Sequence, residues 1–469
     1  MGLAVVLVSL GSSTAGTQSA VTVIVGGTLI DGTGRPPLPD AVVVVRGNRI
    51  TATGKKGAVS YPKNARVIRT DGRFILPGLI DGHVHYHEWQ GELYLAHGVT
   101  TVKDTGNPVE WLEELSQAIA AGRIVGPRIF YTGNSLTAPP ALRDHHIGLE
   151  NAAMARRAVR LLKAHGAVAI KVHQQITPEL LGVVCAEAHR LGLPVTGHLR
   201  RFGAREAALA GLDGIEHLTG IPRSTGPRPE QFRNEEQENE LTGYYDDLNE
   251  AAETREENFA PLIRLLVAQR VAIQPTLMTW FRIAHENRAD LAREDAAFAR
   301  MESLGYVPEG VRKLWQTSAI YEPPDAAALT RFRLAETKMR RFLRLFHDAG
   351  GRLLAGSSTS VMVPGLSFHR ELEMLVRLGL TPREVIEMAT RRNAEFLRRD
   401  KELGTIAPGR LADLIVVERN PLEDIRNLRK IALVMKDGQV IDTAFHADYP
   451  MPIPRPKLTR PVWLELQLK

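Results

Sequence analysis

The sequence predicts an α/β protein, a (β/α)8 TIM-type barrel carrying a small β-sandwich domain formed from both chain ends. Three observations predict it. Short apolar runs, each followed by a helical pattern, recur eight times between Leu79 and Ala355. β-Branched runs broken by turns fill residues 21–75 and return at 404–445. The chain, at 469 residues, also exceeds what a single core usually supports.

Taken in order, Leu3–Leu10 is an apolar stretch followed by the small residues Ser12 to Gly16. It reads as the hydrophobic region and cleavage zone of an export leader, although no basic residue precedes it. Residues 1–20 are therefore either a leader or an N-terminal arm, and a secreted or periplasmic location is favoured over a cytoplasmic one. Val21–Val25, Ala41–Val45 and Val67–Arg69 read as strands, as do Leu414–Val417, Ala432–Met435 and Gln439–Ile441, with Asp437-Gly438 as a hairpin turn. Neither group buries a core alone, so the two are expected to form one unit with the barrel, 76–403, inserted between them. The barrel strands are read as Leu79–His83, Val99–Val102, Ile129–Tyr131, Ala169–Val172, Val195–Gly197, Gly214–Glu216, Val271–Gln274 and Leu353–Ala355. Arg223–Glu257, rich in Pro, Glu, Asn and Arg, reads as an excursion over the barrel mouth, a substrate lid. The tail, 446–469, is too proline-rich to be helical throughout and reads as an extended arm or a frayed end.

Composition narrows the function. The apolar fraction is 44% and the charged fraction 24%, which is ordinary for a globular chain. The formal charge of +6 is spread without a basic stripe, so nucleic acid is not an expected partner. After the leader no apolar run is long enough to span a bilayer. The single cysteine, Cys185, excludes an internal disulfide and reads as a buried apolar residue of the helix Pro178–Leu191.

The chemistry concentrates at strand ends. In the segment Leu76–His85, alternation along a strand puts His83 and His85 on one face, where two imidazoles can share a metal ion. His198 and His217 each follow an apolar strand run, on the face where barrels place their catalytic groups. Lys171 ends the apolar run Ala167–Ile170. A charged lysine there needs a buried carboxylate. A neutral one can instead add carbon dioxide, and the resulting carbamate offers two anionic oxygens to a pair of metal ions.

These residues, with Gly98–Asp104, Glu187–Val195 and Gly404–Leu414, resemble the amidohydrolase superfamily, and most closely its prolidase-like and imidazolonepropionase-like branch. The resemblance runs from about Val21 to Ile441. It implies two divalent metal ions, zinc by preference. His83 and His85 would bind the more buried ion, His198 and His217 the more exposed one, and carboxylated Lys171 would bridge them. It also implies hydrolysis of an amide bond by a metal-bridged hydroxide, with a dipeptide or an N-acyl or aryl-amide of an amino acid as substrate, in a homo-oligomer.

One position departs from the family pattern. The eighth strand normally ends in an aspartate that handles the proton of the attacking hydroxide. Here the segment is Ala355-Gly356-Ser357-Ser358-Thr359-Ser360, Ser358 holds that place, and no carboxylate occurs between Asp348 and Glu371. Three readings stand open: an inactivating substitution, natural divergence with another base such as His146, or a site that binds ligand or serves a lyase or isomerase without hydrolysis. For a substrate carboxylate, Arg200 and Arg201 are the candidate partners, and His145 and His146 match a substrate-contacting position of the family.

Overall fold

The computed structural model describes residues 21–141, 143–227, 240–317, 319–359 and 361–456, with backbone alone at 240–243. The expectations for 1–20, for the centre of the excursion and for 457–469 lie outside the described residues.

The apolar runs of the chain's middle form parallel strands. Leu79–Val84, Val99–Asp104 and Arg128–Tyr131 make one sheet of three strands. A second sheet has seven strands in the order His146–Gly148, Ser135–Thr137, Ile170–Val172, Val195–Gly197, Gly214–Glu216, Ala272–Gln274 and Arg352–Leu353. Every pairing in both is parallel. The two sheets touch on both sides. On one, Val84 pairs with Thr359 in a parallel bridge, and Ser358 N donates to His83 O at 2.7 Å. On the other, Val168 N donates to Tyr131 O at 3.0 Å. The architecture is a TIM-barrel-type α/β fold.

Strands buried on both faces need near-continuous apolar sequence, which is why these runs are short and dense. Leu79–Val84 and Val99–Asp104 are buried at every position. Helices between them begin where a side chain can satisfy their first amide groups. Thr177 accepts from Leu180 N, Asn151 from Met154 N and Asp325 from Ala328 N. Cys185 is buried on the helix Pro178–Arg190, and burial pushes its thiol up to about 12, in keeping with a packing role.

Residues from both ends of the chain form two further sheets. One runs Arg49–Lys55, Ala41–Arg46, Val21–Val25 and Arg66–Arg69. The other runs Gln439–Ile441, Ile431–Lys436, Leu414–Val417, Phe74–Pro77 and Thr28–Leu29. Ile24, Val43, Ile75, Leu414 and Met435 belong to one apolar cluster fed by both sheets. Asp437 and Gly438 adopt φ of 50° and 76°, the left-handed pair that a tight hairpin requires. Arg128 ties a barrel strand to this region, donating to Asp413 at 3.2 Å and Asp437 at 2.5 Å.

Part of the excursion is helical. Glu240–Glu253 packs on the long helix Ala326–Asp348, where Lys338 donates to Ala252 O and Thr254 O, both at 2.7 Å. The short strands Ser135–Thr137 and His146–Gly148 were not expected, because three polar-rich residues carry no periodic signal.

Candidate metal centre

The carboxyl ends of the strands bring the expected metal ligands together. His83, on Leu79–Val84, is fully buried, and neither of its ring nitrogens has a hydrogen-bond partner. Its ring lies 5.6 Å from that of His85 and 4.8 Å from that of His217, centroid to centroid. His198 lies 4.8 Å from His217, and its Nε2 is also buried without a partner. His217 has a left-handed φ of 58°, which breaks strand alternation and lets it face the same space as Glu216. Its Nδ1 is 2.6 Å from Thr276 Oγ1, leaving Nε2 on the site side.

Lys171, on Ile170–Val172, is 1% exposed and touches the equally buried Glu216 carboxylate. Glu216 also accepts from Thr196 Oγ1 at 2.7 Å and lies 3.7 Å from Lys103 Nζ. A buried carboxylate partner for Lys171 is therefore present.

Burial sets the charge states. It holds His83, His85, His198 and His217 well below the usual imidazole range, and Lys171 adds to the effect at His83, His85, His198 and His217. Neutral rings have lone pairs to offer a cation. Burial also lowers Lys171 strongly, aided by Lys103 and Arg143, and brings Lys103 to about 7. Contact with Glu216 acts the other way on Lys171. Among the described residues no three His, Cys, Asp or Glu side chains already stand at metal-holding distances. His83 and His198 therefore keep buried nitrogens free to accept a cation or a hydrogen bond, an arrangement that is costly while nothing engages them.

A cavity of about 100 Å³ opens onto His85, Lys171, His198 and His217. Its other walls include His173, Arg143, Arg200, Tyr244, Asp247 and Trp280. Arg200 stands at the cavity as expected, donating to Asp247 at 2.9–3.1 Å. Arg201 is not part of that lining; its guanidinium reaches Gln175 O at 3.2 Å, because successive side chains leaving a strand point apart. His146 is 1% exposed with both ring nitrogens unpartnered, and reaches the centre only through His173: the His146–His173 and His173–His198 centroids are 4.5 and 4.8 Å apart.

Ser358 is 5% exposed at φ 50° and brings no carboxylate. The nearest acid on the His83 strand, Asp81, accepts from Ser357 N at 2.9 Å and Ser357 Oγ at 2.5 Å and is committed there. Sequence reasoning missed Glu216, Lys103, His173, Tyr244 and Trp280. Lys103 carried the same signal as Lys171, a lysine ending an apolar strand run; Tyr244 and Trp280 carried none.

The chain is similar to known proteins over most of its length. Ochratoxinase of Aspergillus niger is 25% identical over 495 aligned residues, covering 90% of this chain and 87% of the relative. A solved Xaa-Pro dipeptidase superposes with a TM-score of 0.64 at 22% identity, covering 90% of this chain and all of that one. The solved A. niger ochratoxinase gives 0.65 at 20% identity, over 93% and 99% of the two chains. The sequence pattern of the amidohydrolase family matches residues 74–441, and the chain belongs to that family.

Proposed function

We propose that the chain is a metal-dependent hydrolase of amide C–N bonds acting on a small substrate, with His83, His85, Lys171, His198 and His217 as its metal-holding residues. The observation that carries this reading is the convergence of four imidazoles at the ends of three strands, those of His83, His198 and His217 buried and that of His85 half-buried, with unpartnered nitrogens on His83 and His198. His83 and His85 would hold one divalent ion, zinc by preference, and His198 and His217 a second. Two such ions would polarise the scissile carbonyl and lower the pKa of a bound water. Lys171 would bridge them as a carbamate, which requires it to leave Glu216.

The remaining roles belong to the chain itself. Thr276 holds the tautomer of His217. Arg200 is placed to pair with a substrate carboxylate, in exchange for part of its bond to Asp247. The helix Glu240–Glu253 brings Tyr244 and Asp247 to the cavity wall and shields it from water. Ser358 is neutral and cannot take a proton as the family's aspartate does, so turnover is impaired unless another base, with His146 the candidate, replaces it.

In architecture, the two parallel sheets read as one (β/α)8 barrel over 76–403, and the two outer sheets as a sandwich of 21–75 and 404–445. The bonds joining the sheets and the shared apolar cluster support this division. Residues 1–20 as an export leader and 446–469 as a tail complete it.

A second reading, ligand binding without hydrolysis, is favoured by Ser358 and by the Lys171–Glu216 contact. A panel of dipeptides and N-acyl amino acids, assayed with and without zinc, separates the two. Zinc-dependent release of amine, abolished in His198→Ala, supports hydrolysis; zinc binding with no product from any substrate rejects it. Ser358→Asp is expected to raise turnover by about 10²–10⁴, and an unchanged rate rejects the assignment of the missing base.

A further inference from the structure

We infer that Arg455 is a positioning residue: the returning chain brings its guanidinium to the barrel mouth, where it fixes the loop that carries His145 and His146. The inference rests on the proposed function only in taking His146 as the candidate base.

Four anchors lay the returning segment down. His446 N and Nδ1 engage Glu92 at 3.0 and 2.6 Å. Tyr449 Oη donates to Val125 O at 2.6 Å, and Trp111 Nε1 donates to Ile453 O at 3.1 Å. Arg455 is the last of the four. Its two terminal nitrogens take the two oxygens of Asp144, each at 3.1 Å, in a forked pair. Its Nε donates to Asn107 Oδ1 at 2.5 Å.

Each partner is itself tied to a strand end. Asn107 Nδ2 donates to Asp104 at 2.7 Å and to Tyr86 O at 3.0 Å, joining the loops after Leu79–Val84 and Val99–Asp104. Asp144 Oδ1 lies 3.0 Å from His145 Nδ1. His145 has little freedom, since Ser135 N donates to its carbonyl at 3.1 Å and a Cβ at Gly106 would come within 3.1 Å of its ring. Its ring stands edge-on to His146 at 4.9 Å, and His146 meets His173 at 4.5 Å. One guanidinium thus couples three loops of the barrel mouth, and through Asp144 and His145 it sets where His146 stands. Only a planar fork with a third donor satisfies Asp144 and Asn107 together; an ammonium meets one of them.

Hydrogen exchange measured on the full chain tests this without relying on catalysis. Arg455→Ala should speed amide exchange across 143–148 by about tenfold, with metal content and exchange in the core strands unchanged. Arg455→Lys should fall between the two, and Arg426→Ala, which breaks an exposed pair with Asp424, should leave that loop alone. Unchanged loop exchange in Arg455→Ala overturns the inference, whatever the amide panel gives. If Arg455→Ala loses its global fold, Asp144→Asn replaces it: faster exchange confined to the loop supports the inference, and none or a uniform increase overturns it. On any amide the wild type hydrolyses, Arg455→Ala should lower kcat at least fivefold, with part of the loss restored in Arg455→Lys; an unchanged kcat overturns a role exerted through His146. A loop effect with no hydrolysable substrate leaves Arg455 as a positioning residue and removes the hydrolase reading instead.

Discussion

Glu216 and Lys171 make opposite predictions for the empty and the zinc-loaded protein, and the difference can be worked from their surroundings. Glu216 is the carboxylate that Lys171 and Lys103 share, and all three side chains are about 1% exposed. Glu216→Gln leaves two buried lysines facing each other. Breaking a buried pair in this way costs about 3–5 kcal/mol. Lys171→Met removes one cation but leaves Glu216 with Lys103 and the Thr196 hydroxyl, so the cost falls to about 1–3 kcal/mol. Urea unfolding in chelator near neutral pH should therefore rank Glu216→Gln as the less stable variant. Saturating zinc should reverse the contrast. At a hundred times Kd a bound ion adds about 2.7 kcal/mol; Glu216→Gln keeps most of that gain, and Lys171→Met loses much of it with the bridging ligand. The reasoning is refuted if Lys171→Met is the less stable variant in chelator, or if zinc stabilises it as fully as the wild type.

Other outcomes follow from the same site and its frame. Burial holds His173 well below its unfolded value of 6.5, so the ring gains a proton only on unfolding and stability falls as pH drops through 6.5. His173→Gln should reduce the stability lost between about pH 7.5 and 5.5 by about 1.4 kcal/mol, read from urea midpoints in chelator; an unchanged or larger loss contradicts that charge state. His85→Ala and His198→Ala should each lower zinc stoichiometry by one ion in equilibrium dialysis, and together leave almost none. Arg128→Ala should cost about 1–3 kcal/mol, because it strips the buried Asp413 of its cation; a thermal midpoint equal to wild type would show that the link carries no load.

The strands of the two parallel sheets were legible because burial on both faces forces a short apolar run, and here each run is followed by a helical pattern. All eight expected runs are strands, within two residues at each end. The four histidines and Lys171 were legible for a related reason: a polar residue at the end of such a run must face the barrel mouth. Contacts set by tertiary approach were not legible. Glu216 shares the site with His217 only because a left-handed φ turns the chain between them. Tyr244, Asp247 and Trp280 reach the cavity from segments remote from the metal motifs. Of the neighbouring arginines, Arg200 lines the cavity, while Arg201 donates to Gln175 O. Of the tail, read as either an arm or a frayed end, residues 446–456 make hydrogen bonds to five partners, Glu92, Val125, Trp111, Asn107 and Asp144.

The central claim is that this site holds metal and uses it on an amide. Its most direct test is one titration: the chelated protein, supplied with zinc and bicarbonate, is followed for bound metal and for amine released from the amide panel. Two ions per chain, with turnover that rises as they bind and vanishes on chelation, is the expected result. A chain that binds no zinc, or hydrolyses amides at the same rate after chelation, contradicts the account.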